Sequence, residues 1–150
     1  MQRSYLIDTS VLIDIEVAEL GPYGGATGVV SAITIGELAS GLDLGSAEQR
    51  AERARLLSDV LMTHEVLPFD VEEAKLYGVL ADMVRSAGRN PRPRRLDLQI
   101  AATAAMARLP LLTCNPRDFV GIEKIVDVVS IDRRRPTGTG PTVPPGSAPA

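Results

Sequence analysis

Apolar positions along the chain follow two rhythms. Short unbroken runs of the length of a buried parallel strand occur at Tyr5-Leu6-Ile7, Gly28-Val29-Val30, Glu65-Val66-Leu67, Leu111-Leu112-Thr113 and Ile125 to Val129. Between them lie stretches with helical spacing. Thr9 or Ser10 caps a helix over Val11 to Ile15, and Ser31 or Thr34 opens one through Ile35, Leu38 and Ala39, ending near Gly41. Ser46 starts a longer helix with Leu56, Leu57, Val60 and Leu61 on one face and Glu48, Arg50, Glu52, Arg53 and Arg55 on the other. Asp70 with Glu73 forms a capping box ahead of the stripe Ala74, Tyr77, Leu80, Ala81 and Val84, and Gly88 ends that helix. Asp97 opens an Ala-rich helix through Ile100, Ala101, Ala104 and Ala105.

The remaining segments read as connections. Gly21 to Gly25 is a loop, Arg89 to Arg95 is another because it holds two prolines, and Cys114 to Phe119 is a turn or short helix. Strands alternating with helices predict an α/β fold, a mainly parallel sheet of four to five strands with helices on both faces. Residues 1–132 form one domain. Residues 133–150, rich in Pro, Gly and Thr, have no means of building a core and are expected to be a disordered tail.

In such a sheet, ligands bind beyond the carboxyl ends of the strands. Four acids fall where the rhythm changes: Asp8 after the first strand, Glu37 on the helix after the second, Asp97 in the first turn of its helix, and Asp118 after the Leu111 strand. Taken one at a time, Asp97 reads as a helix cap and Glu37 as a solvated helix residue; only the joint pattern turns these acids into a site. Carboxylates brought together repel one another unless a cation sits between them. An all-oxygen set with no His or Cys suits Mg²⁺, or Mn²⁺, and that suggests phosphodiester chemistry.

Composition narrows the classes. The chain has 150 residues, 45% hydrophobic but only 3% aromatic, so its core is built from Ala, Val, Leu and Ile. A net charge of −3 gives no global attraction to nucleic acid. Locally, Arg85, Arg89, Arg92, Arg94 and Arg95 crowd together. Arg92, Arg94 and Arg95 can track a phosphate backbone, and a solvated loop explains them equally well. The single Cys114 makes no internal disulfide and fits a reducing, cytoplasmic setting. The N-terminal apolar run is short and interrupted by Asp8 and Asp14, so it is neither a signal peptide nor a membrane span. His64 reads as solvated and Cys114 as a small buried side chain.

Four segments carry a resemblance: YLIDTSVLI at residues 5–13, ITIGEL at 33–38, DLQIAATA at 97–104 and LTCNPRDF at 112–119. In this order and spacing they resemble the PIN-domain family, and within it the VapC ribonuclease toxins of bacterial toxin–antitoxin pairs, over residues 4 to about 131. The resemblance implies a PIN-like three-layer α/β/α fold and a Mg²⁺-dependent endoribonuclease. Asp8, Glu37 and Asp97 match the first three acids of the family's metal site. For the fourth, the family places an acid at either of two points, here Asn115 and Asp118, and Asp118 is preferred. Thr9, Thr113 and Asn115 are supporting candidates. Direct ligation is expected of Asp8 and Asp97, with Glu37 and Asp118 orienting water or holding a second ion. The resemblance further implies a homodimer and a VapB-type antitoxin whose C-terminal segment lies in a groove near the acids. Leu42, Leu44, Leu56 and Leu57 are candidates for either interface or for the core.

Two rivals remain at this stage. A doubly wound phosphatase wants a second Asp two residues after the first and a catalytic Lys, whereas Thr9 and Ser10 follow Asp8 and the only lysines are Lys75 and Lys124. A non-catalytic RNA- or protein-binding PIN-like module keeps the arginine loop without needing four acids.

Overall fold

The computed structural model describes residues 3–15 and 18–134. Five parallel strands form the central sheet: β1 (Ser4–Ile7), β3 (Thr27–Ser31), β4 (Glu65–Leu67), β5 (Leu111–Thr113) and β6 (Val128–Ser130), in the spatial order β4-β3-β1-β5-β6. Helices α1 (Thr9–Ile13), α2 (Ala32–Ser40), α3 (Ala47–Thr63), α4 (Val71–Ser86) and α5 (Arg95–Met106) connect them. The expected three-layer α/β/α architecture is the one observed.

Strand alternation explains the layers, because successive side chains of a strand point to opposite faces. Leu6, Val29 and Leu111 enter a core with Leu80, Ala81 and Val84 of α4 and Leu98, Ala101 and Ala102 of α5. Their neighbours Tyr5, Ile7, Val30 and Leu112 enter a second core with Val11 and Leu12 of α1, Val60 of α3, and partly buried Ile35, Leu38 and Leu56. Leu56 is thus partly core, while Leu44 stays 62% exposed. The buried face of α5 mixes Leu98, Ile100 and Thr103 with Ala101, Ala102 and Ala104, and the helix packs against the sheet with Asp97 in its first turn close enough to feel the charge of Asp8.

Chain order places the site. The chain runs from β1 outward through β3 to β4, then returns across β1 to β5 and β6. The switch point of this doubly wound sheet lies between β1 and β5, and the crevice opens at their carboxyl ends. Asp8 directly follows β1 and Thr113 ends β5. Two short antiparallel strands, β2 (Ala18–Glu19) and β7 (Asp132–Arg133), form a separate ribbon, tied down by Arg133 Nε donating to Asp14 Oδ2 at 2.5 Å.

Several local expectations are corrected. The residue at the N-cap position of α1 is Asp8, not Thr9 or Ser10, and its side chain makes no capping bond. α5 begins at Arg95 with Arg94 in the N-cap position, so Asp97 does not cap it. Part of the Arg89–Arg95 loop is a 3₁₀ turn over Arg92–Arg94. The last sheet strand is Val128–Ser130; Ile125 and Val126 instead turn back, both donating to the Ile122 carbonyl at 3.0 Å. Asp132 and Arg133 form β7, and the rest of the expected tail, from residue 135 onward, lies outside the described residues. Among the described residues no helix is long and apolar enough to cross a membrane.

Candidate active site

Asp8, at the carboxyl end of β1, is only 4% exposed. Its backbone N–H donates to the Leu112 carbonyl at 2.9 Å, which locks the end of β1 to β5. Its Oδ2 accepts from Thr113 Oγ1 and Ser10 Oγ, both at 2.8 Å. These hydroxyls are themselves held. The Asn115 N–H donates to Thr113 Oγ1 at 3.0 Å, and the Cys114 N–H donates to Ser10 Oγ at 3.1 Å. The turn after β5 therefore orients the donors that orient Asp8.

Glu37 arrives from α2, whose N-cap Ser31 accepts from the Ile33 N–H at 3.1 Å. Its Oε1 accepts from Thr9 Oγ1 at 2.9 Å, and Thr9 Oγ1 in turn lies 3.1 Å from buried Thr34 Oγ1. Asp97 sits half-buried in the first turn of α5. Asp118 lies in the 3₁₀ turn Pro116–Phe119, anchored by buried Phe119, and its carboxylate accepts from Arg94 Nη1 at 2.8 Å.

The four acids are close enough to act on one another. Burial pushes the Asp97 carboxyl from 3.8 up to about 7; the charges of Asp8, Asp118 and Glu37 push the same way, and Arg94 opposes them. Burial likewise raises Asp8, opposed by the bonds from Thr113, Ser10 and the Thr9 backbone and reinforced by Asp118. Glu37 is raised by burial and by Asp8, against the bond from Thr9. Mutual repulsion among these acids disfavours their charged forms, and an opposite charge placed between them would relieve it.

The donor set suits a hard divalent ion, being all carboxylate and hydroxyl oxygen. Among the described residues, no group of three or more His, Cys, Asp or Glu side chains is gathered tightly enough to hold an ion by itself. The hydrogen bonds show why: Asp8 is turned to Thr113 and Ser10, Glu37 to Thr9, and Asp118 to Arg94. Mg²⁺ usually needs only one or two protein carboxylates, with water and substrate phosphate completing its octahedron, so the arrangement fits such an ion without a closed cage.

The other expected residues are placed as follows. The Asn115 side chain is exposed and makes no capping bond; its backbone contributes by bonding Thr113 and by accepting the Asp118 N–H at 3.0 Å. Arg92 and Arg95 are exposed at the start of α5, and the Arg92 N–H donates to Asn90 Oδ1 at 3.0 Å. Arg94 faces the acids. Ser10, Thr34 and the Arg94–Asp118 pair were not singled out from the sequence. Ser10 stands two residues after the first acid and reads there as a helix cap, while the Arg94 pairing spans two separate loops and leaves no local signal.

The chain is similar to known proteins in sequence and in fold. The PIN domain family matches residues 5–125. The ribonuclease VapC4 of Mycobacterium tuberculosis is 32% identical over 133 residues, covering 86% of this chain and 98% of the relative. A ribonuclease VapC of Rickettsia bellii is 29% identical over 129 residues, 80% of this chain and 91% of the relative. Among solved structures, VapBC-5 of Mycobacterium tuberculosis, a member of the VapBC family of toxin–antitoxin systems, superposes with a TM-score of 0.68 at 28% identity, covering 88% of this chain and 98% of the other. FitAcB of Neisseria gonorrhoeae superposes with a TM-score of 0.66 at 25% identity, over 84% and 96% of the two chains. With four acids at the switch point of the sheet and a family match across nearly the whole described fold, the chain belongs to the PIN-domain family.

Proposed function

We propose that this chain is a metal-dependent endoribonuclease and the toxin of a VapBC-type toxin–antitoxin pair. The observation that carries the reading is the proximity of Asp8, Glu37, Asp97 and Asp118, with burial and the charges of the other three acids driving Asp97 up to about 7. The relatives named ribonuclease, matched over nearly their full length, support the choice of RNA as substrate.

Asp8 and Asp97 would hold Mg²⁺, or Mn²⁺ in its place, with Glu37 and Asp118 at the flanks. A divalent ion supplies Lewis acidity there, lowering the pKa of water and screening charge that builds on the phosphate. The chain's own residues do the rest. Thr113 and Ser10 fix the Asp8 carboxylate, so that its free oxygen points one way. Thr9 fixes Glu37 in a position to accept a proton from an attacking water, and burial makes that acid a better base than a solvated one. Arg92 and Arg95, exposed at the start of α5, would meet backbone phosphates.

An antitoxin partner is supported by a second feature. A cleft of about 910 Å³ runs between α1, α2 and α3, from Thr9 and Glu37 at the site to Arg53 and Leu56. It is walled by Ile13 and Ile15, 63% and 40% exposed, and by acids including Asp14 and Asp59. An amphipathic segment with a basic side chain at its site end fits such a cleft.

The deciding experiment is incubation of total bacterial RNA with purified, antitoxin-free protein, in Mg²⁺ or in EDTA, beside Asp97→Asn. Discrete fragments that require both the ion and Asp97 are expected. Intact RNA in every lane, from folded protein, would leave a non-catalytic binding module as the better account.

A further inference from the structure

Arg94 occupies an odd position for an RNA-binding side chain, because it is bound to one of the site acids. Its guanidinium donates to Asp118 at 2.8 Å, with the arginine side chain 43% and the aspartate side chain 20% exposed. Both residues also line a second cleft, of about 270 Å³, whose lining does not include Asp8. Arg89 and Asn90 supply its other polar side chains, with Val84, Pro93 and Val120 as the apolar wall. The Asn90 side-chain Oδ1 accepts from the Arg92 N–H, and Arg89 Nη1 reaches across to donate to the Arg117 backbone carbonyl at 3.4 Å. So two guanidinium groups face one small opening, and one of them is the counter-ion of the fourth acid.

Resting on the ribonuclease reading, we propose that Arg94 gates the metal site: a backbone phosphate of the RNA, entering the cleft between Arg89 and Arg94, draws the Arg94 guanidinium off Asp118 and frees that carboxylate for a divalent ion. The chemistry favours the exchange. A part-exposed ion pair is weakly held, and a phosphate offers guanidinium the same two-oxygen geometry as a carboxylate with a second arginine beside it. Asp118 left without Arg94 rejoins an acidic cluster, which raises its demand for a cation. Nucleic acid and metal then bind with positive coupling, and linkage makes the coupling equal in both directions. The protein resists loading with metal until substrate is present.

The test reads binding, not turnover. Mn²⁺ affinity is measured by titration calorimetry for wild type, Arg94→Ala and Arg94→Lys, each with and without a mixed-sequence 2′-O-methyl hexanucleotide as phosphate-backbone probe. In wild type the oligonucleotide should tighten Mn²⁺ by about tenfold, within the usual range of such couplings. Arg94→Ala should bind Mn²⁺ about tenfold more tightly with no oligonucleotide and gain little from adding it. Arg94→Lys, keeping the charge without the fork, should fall between. Adding Asp118→Asn to Arg94→Ala should erase the gain. Mn²⁺ binding that Asp97→Asn abolishes but Arg94→Ala leaves unchanged, with and without oligonucleotide, overturns the gate and leaves the metal site standing. Absence of Mn²⁺ binding in every variant overturns both the gate and the ribonuclease reading.

Discussion

Asp97 shows how one residue can cost stability and carry function. In the unfolded chain its carboxyl titrates near the ordinary value of 3.8, and in the folded protein near 7. Between those values the folded state binds more protons than the unfolded state, so the stability of metal-free protein falls as pH rises through that window. Above it the full penalty applies. Solvent reaches this half-buried group and screens the penalty, leaving it on the order of 1–2 kcal/mol. Asp97→Asn removes the charge and keeps the shape. In EDTA at pH 8 it should raise the melting temperature, and at pH 4 the gain should vanish. A lower melting temperature at pH 8 would mean that Asp97 is a structural acid. The sequence made Asp97 legible as a site residue only in company, because a lone Asp near a helix start reads as a cap. The structure removes that explanation, with Arg94 in the N-cap position. The hydroxyls were partly legible: Thr9 and Thr113 were named, but Ser10 and Thr34 were hidden by their ordinary local roles.

Elements whose signals are local were read well from sequence. Ser46 and Gln49 form a capping box with both reciprocal bonds at the start of α3, and at the start of α4 the Asp70 N–H donates to Glu73 Oε2 at 2.8 Å. Gly88 ends α4 in the left-handed region, with φ of +77°, while the Gly88 N–H donates to the Arg85 carbonyl and the Arg89 N–H to that of Val84. This turn launches the arginine loop toward the acids. Gly88→Ala should therefore cost about 1 kcal/mol, because a Cβ is strained in that conformation. A urea melt should show a lower midpoint with an unchanged slope, and an unshifted midpoint would show that the turn relaxes to another form. Elements held by distant partners were not legible. β2 and β7 are two residues each, form only through each other, and lean on the Arg133–Asp14 pair. The Ile125–Val129 run was misplaced for a related reason: Val126 is buried by packing below the sheet, not by pairing within it, so its apolar character signalled the core and not a strand.

At the scale of the molecule, what sequence rhythm cannot supply is convergence. Asp8 and Thr113 are joined by a hydrogen bond across 105 positions, and Arg94 meets Asp118 only because α5 and the turn after β5 leave the same edge of the sheet. The resemblance to a family supplied that arrangement in outline, and the strand order β4-β3-β1-β5-β6 supplies its cause. The same topology leaves α1 thinly covered, since this five-residue helix buries Val11 and Leu12 but turns Ile13 outward, 63% exposed. An outward Ile beside the acids contributes little to folding, so Ile13→Ser should change stability by no more than about 0.5 kcal/mol. If the cleft receives a VapB-type antitoxin, the same change removes an apolar anchor that becomes buried only in the complex, and affinity should fall by about tenfold. Titration of antitoxin onto wild type and Ile13→Ser, alongside thermal melts of the free proteins, separates these terms. Weaker binding with an unchanged melt places the antitoxin on α1. Equal binding by both proteins would move its seat away from this cleft, with the four-acid site untouched.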